Sequence, residues 1–180
     1  MNPPPLGEAL SIGWERFKAQ AMPLMLAVFL ASLVTGIIPI VGLGLGMPGV
    51  LYAGLKALRG QTVEIGDAFV GFQRPMDHIM IGLWQIIGLL ACCIGAMVTV
   101  PLFYQGHLLI IEKGMTWQQA KDTCMEQIKP NWLGWTLYAF VLALVAQLGL
   151  IACIVGVFVT SAIQAVAMAY GYEQTLGKAS

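Results

Sequence analysis

Three stretches of this chain, Ala19–Leu55, His78–Ile111 and Pro130–Tyr172, contain no Asp, Glu, Lys or Arg. As one straight helix the first would measure about 55 Å at 1.5 Å per residue. A bilayer core is about 30 Å thick and needs about 20 residues for one crossing. Each stretch is therefore too long for a single pass and is expected to fold back as a hairpin. The fold-back points read as Ile38-Pro39-Ile40-Val41-Gly42, Cys93-Ile94-Gly95 and Ile154-Val155-Gly156. Composition agrees: 58% of the residues are hydrophobic and 10% charged, against about 45–50% and about 25% in a soluble domain. A zero net charge excludes the basic balance of a nucleic-acid binder.

The expected fold is all-α and polytopic, with six membrane helices in three parallel-repeat hairpins, each preceded by an amphipathic interfacial helix. All of it forms one integral membrane domain, 1–180, with repeat units of approximately 5–60, 61–114 and 115–176. The second legs read as short. Thr99–Ile111 makes roughly 20 Å of helix, so a re-entrant dip is the alternative to a crossing. All eighteen charges fall before, between or after the hairpins and none at a tip. Lys and Arg mark cytoplasmic loops, so both termini are expected in the cytoplasm of a bacterial inner membrane. Trp14, Trp117, Trp132 and Trp135 sit near that boundary, and Trp84 lies inside a span. Met1-Asn2-Pro3-Pro4-Pro5 has no positive n-region, which argues against a cleavable signal.

A shift of 61 residues places Gly88-Leu89, Ala91-Cys92, Gly95 and Val98-Thr99 on Gly149-Leu150, Ala152-Cys153, Gly156 and Val159-Thr160. Each unit opens with a patterned segment. Leu6, Leu10, Trp14, Phe17 and Ala21 share one helical face, as do Trp117, Ala120, Cys124 and Ile128 after a Thr116/Gln119 capping box. Unit two has the less regular Ile65–Phe72.

Little here points to chemistry. Gly44-Leu45-Gly46-Met47-Pro48-Gly49 spells GxGxxG, but no strand precedes it. It reads as a turn whose small residues let helices approach, with Gly42 and Gly46 a packing pair. Cys92 and Cys153 occupy matching positions, so a disulfide competes with simple packing; no metal spacing exists among the four cysteines. His107, with Tyr104 three residues before it, is the one titratable group well inside an uncharged stretch, which makes it a functional candidate; an interfacial hydrogen bond is the plainer reading. Gln85, Gln105, Gln147 and Gln164 either line a polar path or bond helix to helix. No catalytic, cofactor or metal constellation is expected, and no cofactor.

The segments Leu10-Ser11-Ile12-Gly13-Trp14-Glu15-Arg16-Phe17-Lys18, Gly54-Leu55-Lys56-Ala57-Leu58-Arg59-Gly60, Val63–Phe72, Ile111–Ala120 and Pro130-Asn131-Trp132 together resemble a broad group of uncharacterised bacterial six-helix inner-membrane proteins. That group is similar to the YciC envelope proteins and to the membrane domain attached to some glycerophosphodiester phosphodiesterases. The resemblance covers nearly the whole chain and implies a polytopic helical fold. It supplies no catalytic residue, and the phosphodiesterase catalytic domain is absent here.

The expected function is non-enzymatic, acting through contacts with membrane lipids and with other membrane subunits or copies of itself, with no nucleic acid involved. A small-solute or lipid transporter is the alternative. An enzyme would need a headgroup substrate reaching Glu64, Asp67, Asp77 or His78.

Overall fold

The computed structural model describes residues 2–37, 39–90, 92–149 and 153–177, without the side chains at 37, 39–41, 89, 92–98, 100–102 and 153–155. Every regular element among them is helical. The α-helices are α1 (Leu6–Ala19), α2 (Ala21–Ile37), α3 (Pro39–Leu58), α4 (Pro75–Leu90), α5 (Cys92–Lys113), α6 (Trp117–Ile128), α7 (Trp132–Leu148) and α8 (Cys153–Tyr172). A 3-10 segment, Ile65–Gln73, precedes α4, and a π turn, Glu173–Gly177, follows α8.

Three helix pairs pack antiparallel. Thr35 of α2 faces Gly42 of α3, and Ala31 faces Gly46. Gly88 of α4 faces Thr99 of α5, while Ile81 reaches Gly106. Gly149 after α7 faces Gly156 and Thr160 of α8, and the Tyr138 hydroxyl donates to the Ala167 carbonyl at 2.5 Å. The 61-residue shift thus superimposes one contact on another: Gly88 on Thr99 becomes Gly149 on Thr160.

Two fold-back points differ from the sequence reading. Cys93-Ile94-Gly95 lies inside α5 and Gly156 inside α8, because α4 ends at Leu90 and α7 at Leu148. Glycine in an apolar helix is tolerated where it admits a close neighbour, so these glycines do not mark turns. The second legs are consequently the longer ones: α5 has 22 residues and α8 has 20, against 16 in α4 and 17 in α7.

The GxGxxG segment is likewise helix interior rather than a turn. A Cβ on Gly44 would meet Ile79 Cα of α4 at 2.6 Å, and one on Gly49 the Ala68 carbonyl carbon at 2.6 Å. Gly54 opposes Ala165 of α8 in the same way. α3 is therefore the hub, passing from α8 to α4 with α2 and the 3-10 segment against its flanks.

The opening helices bury most of their expected faces: Leu6, Leu10 and Phe17 of α1 and Trp117, Ala120, Cys124 and Ile128 of α6 pack on the bundle, and Trp14 is the exception. α1 buries Ala9, Gly13 and Phe17 against the bundle while Trp14 is 48% exposed, because the wide Trp ring cannot enter where Gly13 meets the Ile163 carbonyl. The axis then turns by 103° into α2. α6 buries Ala120, Cys124 and Ile128. Through the 3-10 turn Lys129–Asn131, where Asn131 caps a new helix by accepting the Gly134 amide, it leads into α7, and the run Trp117–Leu148 is long and apolar enough to cross a membrane. The bent pair Leu6–Ala19 and Ala21–Gly36 would together make a second such element. Trp135 is buried in the bundle.

Polar groups join the helix ends. Arg59 bridges Glu112 and Glu173, tying the ends of α3, α5 and α8. Lys113 Nζ donates to the Leu176 carbonyl at 2.8 Å. Asp77 pairs with Arg74 and accepts the Trp117 amide at 2.9 Å.

Candidate functional site: a buried histidine pair

α4 starts at Pro75, where a missing N–H costs nothing in the first turn of a helix. Asp77 anchors this end to Arg74 and to the start of α6. One residue further, His78 points into the bundle, 1% exposed. His107 lies on the opposite leg, fully buried, and the two Nδ1 atoms are 2.9 Å apart. Phe103 stands edge-on to the His107 ring, with centroids 4.7 Å apart. Gly44 of α3 closes over the His78 carbonyl.

One Nδ1 must carry a proton and the other a lone pair, whichever tautomer is present. The arrangement can therefore share one proton between two helices. His107 Nε2 is buried without a partner, as are Gln85 Oε1 and Gln105 Oε1. Buried polar atoms are normally satisfied, so these are the atoms a water, proton or polar solute would meet. Two imidazoles alone do not close a tetrahedral metal site, and no cluster of three His, Cys, Asp or Glu ligands exists among the described residues.

The other expected intramembrane polar residues do not converge on this pair. Gln164 of α8 donates to the Tyr104 hydroxyl at 3.5 Å, so Tyr104 is engaged with α8 and Phe103 takes the position beside His107. Gln147 is exposed on α7. The side chains of Cys92, Cys93 and Cys153 lie outside the described ones; Cys124 is a buried free thiol. Asp67 is held by Lys56 at 2.9 Å and accepts the Glu64 amide at 2.7 Å, so Glu64, Asp67, Asp77 and His78 do not form one acid–base group.

Sequence reasoning placed His78 only among residues for a headgroup substrate and missed its pairing with His107. The signal was available: residues 78 and 107 lie at similar distances on either side of the true fold-back near residue 91, so antiparallel legs bring them together. At the helix ends, burial acts to lower the Arg59 guanidinium, but the hydrogen bonds and charges of Glu112 and Glu173 outweigh it and raise it. The Arg59 guanidinium clamps the ends of α5 and α8.

Comparison with protein-family models, curated proteins and solved structures finds no match for this chain. The resemblance to YciC-like proteins rests on the sequence motifs alone.

Proposed function

We propose that the chain is a multi-pass protein of the bacterial cytoplasmic membrane that acts without catalysis, through lipid and protein contacts, as an envelope-organising protein or accessory subunit. The observation carrying this reading is the outer surface of α2 and α7. Met22, Leu26, Phe29 and Leu33 are exposed on α2, and Leu133, Leu137, Phe140, Leu144 and Leu148 on α7, while the opposite faces of both helices are packed. Contiguous apolar patches of that kind mark membrane or protein interaction surfaces. In this reading the three antiparallel pairs supply six spans, and the ion-paired helix ends face the cytoplasm with both termini. Retention in the pellet after alkaline carbonate extraction, with a defined partner recovered by crosslinking in native membranes, is the expected result. Release by carbonate would end the proposal.

A transporter or channel is the second reading, favoured by the buried, unpartnered atoms of Gln85 on α4 and of Gln105 and His107 on α5. It requires the purified chain in liposomes to move a solute or lipid, and H107L to abolish that movement. Liposomes that remain tight leave the contact role.

A further inference from the structure

Two proton placements satisfy the 2.9 Å contact between His78 Nδ1 and His107 Nδ1, because one nitrogen of a neutral imidazole donates and the other accepts. They differ in what they leave at the far nitrogens. If His78 donates, His107 must carry its own proton on Nε2, an N–H sealed in the bundle without an acceptor. If His107 donates, its Nε2 is a bare lone pair, and His78 carries its N–H on Nε2. Among buried backbone groups an orphaned N–H is rarer than an under-satisfied acceptor, and the same preference applied to the rings selects the second placement.

The neighbours agree with that choice. Gln85 Oε1 and Gln105 Oε1 are buried without a donor, so neither is within reach of an N–H on His107. Tyr104 is engaged with Gln164 of α8. The Asp77 carboxylate is occupied by Arg74 at 3.0 Å and by the Trp117 amide at 2.9 Å, and bonds to neither ring. His78 Nε2, by contrast, is not among the buried atoms without a partner. With the N–H on His78, no N–H of the pair is stranded in the interior.

We infer that His78 and His107 form a neutral latch of fixed polarity: His107 Nδ1–H donates to His78 Nδ1, tying α5 to α4, and His107 Nε2 is a bare lone pair enclosed by the bundle. In this polarity the one free lone pair of the two rings is the one that solvent does not reach. A proton arriving from outside meets the His78 N–H rather than an acceptor, so the closed pair passes no proton. The contact then serves to hold two helices together, as the contact role requires, and not as the relay of a proton-coupled transporter. Only when α4 parts from α5 do the bare nitrogens meet water and become reactive. The latch is thus a gauge of helix separation.

The test needs no variant. The chain has two histidines, so nitrogen-15 histidine in the full chain in detergent reports these rings alone, each assigned through its own Cβ and backbone. The expected result is a bare-nitrogen shift at His107 Nε2 and at His78 Nδ1, with coupling between the two Nδ1 atoms. Bare shifts at His107 Nδ1 and His78 Nε2 reverse the polarity and overturn the inference. Averaged shifts, from exchange between the two placements, show that the pair passes a proton and overturn it as well. Diethyl pyrocarbonate, which acylates a bare imidazole nitrogen, gives an independent readout by mass spectrometry. Both histidines should be protected in the folded chain and lose that protection on unfolding. Acylation of His78 in the folded chain at its unfolded rate would place a bare lone pair at the open end of the pair and end the latch. Carbonate extraction tests the membrane reading separately, and neither result bears on the other.

Discussion

Gly44 and Gly36 are both helical glycines, yet their surroundings differ. An added methyl at 44 would press on the α4 backbone, whereas one at 36 meets nothing within 4 Å. G44A should therefore destabilise by about 1–3 kcal/mol, as overpacking does. G36A should be neutral or slightly stabilising, since Ala is the better helix former. Thermal unfolding of both variants in detergent checks the pair, and equal effects would contradict the close crossing of α3 over α4. The histidines allow a second test at this scale. H78L or H107L leaves one buried imidazole without its hydrogen bond, while H78L/H107L removes both partners. The double variant should be more stable than the sum of the single losses implies, with coupling of about 0.6 kcal/mol or more, the mean for polar pairs between membrane helices. Strict additivity would mean that the Nδ1 contact is not formed.

At the scale of elements, Arg59 is what fastens the last turn to the bundle. R59Q should release Glu173 and expose the amides of 173–177 to hydrogen exchange, with little change in α7; unchanged protection there would show that the Lys113–Leu176 bond suffices. The same scale shows what the sequence made legible. Absence of charge located three helix pairs, since a charged side chain in the apolar interior is costly whatever the fold. The capping pair of Thr116 and Gln119 located the start of α6. Fold-back positions were not legible, because glycine serves both turns and close helix contacts, and only tertiary neighbours distinguish Gly95 or Gly156 from a turn residue. That error propagated. A misplaced turn made α5, which has 22 residues, look too short to cross. On α1 only Trp14 was misplaced: periodicity marks an apolar face, but whether Gly13 or Trp14 turns inward depends on how closely α8 approaches.

For the whole molecule, the expected arrangement gives each end of the bundle a different chemistry. Arg59, Glu112, Glu173, Lys113, Arg74 and Asp77 interlock at one end, and the ends of α2, α4 and α7 carry no charge. Taking a Lys or Arg through mid-membrane costs about 2.5–3.5 kcal/mol on insertion scales, and cytoplasmic loops keep such residues. Single cysteines at Ser11, Gln61, Gln118 and Gln174, all exposed, should then react with an impermeant thiol reagent only from the cytoplasmic side. Cysteines at Gly36, Leu90 and Leu148, exposed at the opposite ends, should react only from the other side. The four endogenous cysteines, Cys92, Cys93, Cys124 and Cys153, are first replaced by serine so that each reporter is the single thiol. If Leu90 and Leu148 label from outside but Gly36 from the cytoplasm, the α2–α3 pair is a dip in one leaflet, and the bend of 103° before α2 becomes the point where the chain enters and returns. If all three label from the cytoplasm, no helix pair crosses. The transporter reading would then fail at the same stroke, because a solute path needs helices that reach both faces of the bilayer.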